Sequence, residues 1–151
     1  TDIIYKGFEP DPFLGSALVD MYSKCGSLVE AQDVFNMIQT RDVVIWTALI
    51  AGYVEHGHCH RAIETFEKMK LEGISPGIVA CVCIIKVCGE IGCIPNGREM
   101  HHEVSIRGHE MHPVIGCTLV DMYAEWTYLL WQKHKRCTRI FLLELYFLQM
   151  H

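Results

Sequence analysis

Apolar residues recur along the chain at helical spacing, in short runs separated by glycine or proline. Trp46, Leu49, Ile50 and Tyr53 fall at i, i+3, i+4 and i+7. Beyond Gly57, the residues Ala62, Ile63, Phe66 and Met69 repeat that spacing, and Gly73 with Pro76 closes the run. Upstream, Leu18, Met21 and Tyr22 precede Cys25-Gly26, and Leu28, Ala31, Val34 and Phe35 follow it. Downstream, Val82, Ile85 and Lys86 share one face, with Met100 and Val104 beyond Pro95 and Gly97. No alternating apolar–polar run of comparable length competes. The pattern predicts helices over 13–24, 28–38, 44–55, 61–71, 79–90, 97–106 and 114–126, paired as antiparallel hairpins.

The hairpins recur. Gly15–Tyr22 reads GSALVDMY, and 101 residues later Gly116–Tyr123 reads GCTLVDMY, identical at six of eight positions. Upstream, Lys6-Gly7 matches Arg107-Gly108, Glu9 matches Glu110 and Pro12 matches Pro113. Downstream the match stops, where Ser23-Lys24-Cys25-Gly26 faces Ala124-Glu125-Trp126-Thr127. The interval divides into units of 31 residues (12–42), 35 residues (43–77) and 35 residues (78–112). A self-match at such periods implies a stack in which each hairpin buries its apolar face against its neighbours. The expected fold is all-α, a right-handed α-solenoid of stacked antiparallel helical hairpins.

The segments GSALVDMYSKCGSLVEAQDVF, RDVVIWTALIAGY and FEKMKLEGISP, in this order and register, resemble the pentatricopeptide repeat proteins of plants. The alternating lengths resemble the PLS subclass. Residues 12–42 then correspond to a short-type repeat, 43–77 to a standard repeat and 78–112 to a long-type repeat. Residues 1–11 resemble the end of a preceding long-type repeat, and 113–124 the start of a further short one. Residues 125–151 depart from the pattern as a non-repeat hydrophobic tail. The tetratricopeptide reading is weaker, because its Trp/Gly/Tyr spacing is absent.

The resemblance implies sequence-specific recognition of single-stranded RNA, about one base per hairpin. The fifth residue of a first helix and the last residue of the repeat would address the base edge: Ser16 with Asp42, and Thr47 with Gly77. A small hydroxyl resembles the purine-reading class and a terminal Asp the guanine-reading combination, so Ser16/Asp42 is expected to prefer guanine. Gly77 offers no side chain, which leaves its repeat degenerate. Val82 with His112 resembles no regular code. Second-position residues, which would stack on the base, are Phe13, Val44, Val79 and Val114. For these the alternative is an ordinary apolar contact at a loop edge. By the same resemblance the chain belongs to an organellar RNA-processing or C-to-U editing factor of the mitochondrion or chloroplast. Other editing or processing factors would be further partners, and the catalytic domain would be lacking. The competing readings are a protein–protein interaction scaffold and a non-functional truncated product.

Composition bears on this in two ways. Half of the residues are hydrophobic, enough for a continuous core between hairpins, whereas the net charge of −5 supplies little of the phosphate attraction that drives nucleic-acid affinity. The eight cysteines are scattered and read as reduced thiols, and no transit peptide opens the chain.

Candidate chemistry is sparse. His56, His58, Cys59 and His60 cluster at a turn, and Cys83, Cys88 and Cys93 are spaced by five, which does not bring ligands to one side of a helix. His101-x-Glu103 is half of a zinc-deaminase signature, but its Pro-Cys-x-x-Cys half is missing. No metal, no cofactor and no enzymatic activity are expected. In the tail, Lys133, Lys135, Arg136 and Arg139 precede the apolar run Ile140–Met150, expected to be helical and partly exposed. That run is too short to span a bilayer. Its plainest reading is a truncated or misread coding end. A cap over the last hairpin and an interfacial membrane helix are the alternatives, and no membrane partner is expected.

Overall fold

The computed structural model describes residues 11–150, so the expected end of a preceding repeat at 1–11 lies outside them except for Asp11. Among the described residues there are seven helices and no strand. They are α1 (Pro12–Lys24), α2 (Leu28–Met37), α3 (Val43–Glu55), α4 (Cys59–Leu71), α5 (Ile78–Ile91), α6 (Ile94–Ile106) and α7 (Pro113–Gln149). The hairpins α1–α2, α3–α4 and α5–α6 stack so that α1, α3, α5 and α7 form one continuous layer. In a second layer, α2, α4 and α6 each lean on their own first helix and on the next one. This is an all-α solenoid.

Local chemistry sets where the chain turns. α1, α3, α4, α5 and α6 each end one or two positions before a left-handed glycine, as at Gly26, where φ is 80°. There the amide of Ser27 bonds back to the Tyr22 carbonyl at 2.9 Å, satisfying a group the helix end would orphan. Helix starts differ slightly from expectation. α6 begins at Ile94 rather than at 97, because Pro95 sits in its first turn, where a missing amide proton is no loss. α4 likewise begins at Cys59 rather than at 61.

The core runs between the layers. Val19, Ile45, Leu49, Ile50, Phe66, Met69, Ile84 and Ile85 are fully buried, and Phe35 meets the Trp46 ring edge-on at 4.7 Å. Two residues expected on core faces are not there. Met21 is 46% exposed because it lies on the side of α1 away from α2 and α3, and Lys86 is exposed on the side of α5 that borders α3 and α7.

Two pairs of successive first helices, α1 with α3 and α5 with α7, pack in the same register, the twelfth residue of one meeting the tenth of the next. Ser23 meets Gly52, where a Cβ would come within 2.5 Å of the serine Cβ. Gly89 meets Met122, where a Cβ would lie 3.2 Å from the methionine Cα. The equivalent positions between α3 and α5 are held by Val54 and Val87, neither of them small. α3 and α5 make less extensive contact than the other two pairs.

The last helix corrects an expectation. A helix over 114–126 and a separate helical tail were anticipated, yet α7 runs unbroken for 37 residues, about 55 Å at 1.5 Å per residue. Thr127 stands where α1 has Gly26, so nothing local stops it. Trp126 closes the packed part: its Nε1 donates to the Cys88 carbonyl at 2.9 Å, and its ring lies over Gly97. From Lys133 to Met150 every residue is exposed, the apolar run included. Among the described residues, no helix is long and apolar enough to cross a membrane.

Candidate functional site

The first turns of α1, α3, α5 and α7 carry the residues singled out above. Phe13, Val44, Val79 and Val114 are each the second residue of a first helix, and each is more than half exposed, Phe13 at 83%. An apolar side chain bared at the same position of four packed helices forms a row, not a scatter. Ser16 and Thr47 follow one turn later. Their hydroxyls donate to the carbonyls of Pro12 and Val43, at 2.8 and 2.7 Å, leaving their lone pairs free to accept.

The last residue of each unit is the residue that caps the next first helix. Asp42 caps α3, accepting the Ile45 amide on Oδ1 at 3.0 Å. That bond uses one carboxylate oxygen, and Asp42 is otherwise exposed. Gly77 precedes α5 and His112 precedes α7 without a side-chain cap bond. A Cβ built on Gly77 would reach only Val43, at 4.0 Å. Capping therefore ties each of these residues to the N-terminal edge of the layer, beside the exposed row.

One set of these residues shares a groove. Between α3, α5 and the start of α7, a cleft of about 400 Å³ is lined by Val79, Val82, His112 and Val114. Ala51, Val54, Glu55, Ile78, Cys83 and Lys86 complete it. The cleft lies where α3 and α5 meet least, and Val54 is part of its lining. Sequence reasoning missed Ala51 and Lys86, although each stands one turn beyond a fifth-position residue, Thr47 or Val82. The cleft has apolar walls, with Lys86 and Glu55 charged at its rim.

The remaining polar clusters are engaged in packing. His56 Nε2 lies 2.8 Å from the Ser23 carbonyl, and His58 meets the Tyr53 ring edge-on. His101 bonds Tyr123 Oη through Nδ1 at 2.6 Å and approaches Glu110 through Nε2 at 3.2 Å. Glu103 pairs with Arg107 at 2.8 Å and with Lys70 at 3.6 Å. Lys70 is itself lifted above its ordinary pKa. Burial alone would lower it, but its bond to Glu99 and the charges of Glu103 and Glu67 outweigh that. Burial pushes the Cys88 thiol up to about 12, with Cys93 adding to it, and burial raises Cys81 and Cys83 as well. Such thiols stay protonated and are poor ligands or nucleophiles. Among the described residues no three His, Cys, Asp or Glu side chains gather as a metal site.

Comparison with known proteins agrees with this architecture. The model of the PPR repeat matches residues 16–43, and that of the PPR repeat family matches residues 41–90. A chloroplastic pentatricopeptide repeat-containing protein of Arabidopsis thaliana is 36% identical over 124 residues, 82% of this chain and 23% of that protein. The chain belongs to the pentatricopeptide repeat family. A mitochondrial pentatricopeptide repeat-containing protein of the same plant is 42% identical over 97 residues, 64% of this chain and 11% of that protein. Among solved structures, the crystal structure of the pentatricopeptide repeat protein PPR10 from maize superposes with a TM-score of 0.67 at 22% identity. It covers 96% of this chain and 21% of that one, so the shared property is the solenoid fold. This pentatricopeptide repeat chain thus spans less than a quarter of the length of the two Arabidopsis relatives.

Proposed function

We propose that this pentatricopeptide repeat array reads single-stranded RNA along the N-terminal edge of its first helices, about one base per hairpin. The observation that carries the reading is the row of exposed second residues alternating with the capping residues of the next helix. A base entering between two members of the row meets apolar surface on both faces, and base stacking is indifferent to identity. Its edge then faces a fifth-position side chain and a capping residue, which can discriminate. Ser16 with Asp42 favours guanine, since the free carboxylate oxygen accepts from the guanine amino and imino groups. Thr47 with Gly77 retains a purine bias only. At the cleft, Val79 and Val114 flank the base, Val82 forms the floor and His112 reaches the edge.

In this reading residues 12–42, 43–77, 78–112 and 113–124 are short, standard, long and incipient short repeats of the PLS subclass. The chain is then a recognition segment, non-catalytic in itself, of an organellar RNA-processing or editing factor. The chloroplastic and mitochondrial names of its relatives support an organelle. Other editing or processing factors would join it there. A protein-binding scaffold is the second reading, favoured by the net charge of −5.

Fluorescence anisotropy tests the assignment. The short repeat is grafted into a longer, basic array and titrated against four RNAs differing only at the cognate base. Guanine should bind tightest, and Asp42→Asn should move the preference toward adenine, because an amide offers the donor a carboxylate lacks. Asn caps a helix as well as Asp, so stability is not confounded. Equal affinity for all four RNAs before and after the substitution makes the scaffold the better reading.

A further inference from the structure

The uncovered side of α7 carries a seam that its packed side does not need. Val120, Tyr123, Leu130, Phe141, Leu145 and Leu148 are all exposed, and Thr127, His134 and Thr138 fall between them. Successive members are three or four residues apart throughout, the spacing by which one helix pairs with another along its length. At its N-terminal end the seam coincides with a face whose partner is known elsewhere in the molecule. On α1 the counterpart of Val120 is Val19, fully buried, and Gly15, the counterpart of Gly116, packs against Ile38 just beyond α2. Residues 127–149 do not turn back over this face as α2 does over α1, because the helix continues unbroken through residues 124–127.

We propose that the uncovered face of α7 pairs with α7 of a second copy of this chain, the two helices antiparallel. The seam is self-complementary in that sense. Folded about residue 132, it sets Tyr123 opposite Phe141, Leu130 opposite His134 and Gly116 opposite Leu148. Each copy's apolar end then covers the segment that α2 covers on α1, an exchange of equivalent elements between protomers. The antiparallel sense also keeps the two solenoids at opposite ends of the helix pair, since each is packed only on the first half of its own α7. Thirteen large apolar side chains between Tyr128 and Met150 are exposed. Of these, Leu130, Phe141, Leu145 and Leu148 lie on the seam, and with Val120 and Tyr123 they offer on the order of 600 Å² per copy, roughly 1,200 Å² for the pair, the lower end of a specific interface. Thr127, His134 and Thr138 in the seam disfavour shifted registers, as polar seam positions do. The pairing is independent of whether the array reads RNA.

Light scattering on the full chain at about 50 µM, well above a micromolar Kd, tests the pairing. The expected mass is twice the 17.3 kDa of the chain. Phe141→Glu, on the seam, should yield monomer, while Leu143→Glu, about 160° around the helix, should leave the dimer intact. Both residues are exposed, so neither variant threatens the fold. Orientation is read with Tyr123→Cys chains mixed with Phe141→Cys chains, after the exposed Cys25, Cys117 and Cys137 are made serine. A disulfide between the two variants is expected, and none within Tyr123→Cys alone. A monomeric wild-type chain, equal effects of the two glutamates, or self-linked Tyr123→Cys would each overturn the proposal. So would equal loss, in both variants, of binding to phosphatidylserine vesicles by a monomeric chain, which would assign the apolar end to a membrane.

Discussion

α1 and the first half of α7 share nearly the same sequence and bury opposite faces. In α1, Gly15, Val19 and Ser23 are buried against α2 and α3, while Leu14 and Met21 are exposed. In α7 the counterparts reverse: Ile115 and Met122 are buried against α5, whereas Val120 is 68% exposed. Both faces are apolar in both copies. Each copy therefore carries the pattern of a helix flanked on two sides, and its place in the stack decides which side is used. A repeat helix stores more burial potential than the described neighbours of either copy use.

Substitutions at paired positions can break this comparison. The largest effect is expected for Val19→Asp, which buries an unpaired carboxylate and should cost more than ~3 kcal/mol in urea unfolding. Val120→Asp, at the matching residue, should change the stability of the solenoid by less than ~0.5 kcal/mol. Met122→Ala inverts the order: a cost of about 2–5 kcal/mol is expected there, and under ~1 kcal/mol for Met21→Ala. Comparable losses within either pair would mean that the two copies are not distinguished by packing.

A smaller effect sharpens the contrast in how the helices end. Gly26→Ala forces a side chain into the left-handed region and should destabilise by roughly 1 kcal/mol. Thr127→Ala, at the counterpart, should be neutral or stabilising, since alanine favours the helix that is already there. A similar loss for both would show that α7 bends at residue 127 in solution. The smallest effect is on rates rather than stability. Maleimide at neutral pH should label the exposed Cys25 and Cys117, which stand on the two compared helices, before Cys88. The Cys88 thiol, at about 12, should react only on unfolding, and early labelling would mean that the α5–α7 contact opens.

Much of the fold was legible because its determinants are local. Helical spacing located all seven helices, and Gly26, Gly57 and Gly73 marked three of the ends. The misses have specific causes. Pro95 reads as a break in one dimension, but in a first turn it starts a helix. Lys86 has helical spacing with Val82, yet the side of α5 it occupies is the rim of a cleft. That cleft lies between helices of successive units, and the spacing between helices is invisible to periodicity within either. Of the candidate site, the placement of Phe13, Val44, Val79 and Val114 at second positions could be read directly. Their sharing an edge with Asp42, Gly77 and His112 required the helices to be stacked.

By itself the sequence determined that this chain is a stack of helical hairpins, where each hairpin turns, and that both faces of its first helices can be buried. These follow from apolar spacing, from left-handed glycines and from the 101-residue recurrence, all of which act within one unit. Only the tertiary structure decided which face is covered, where two first helices part to leave a cleft, and that α7 continues for 37 residues. Those outcomes depend on what stands next to a helix, and the repeated segment specifies the same neighbours at both ends of an array that supplies them differently.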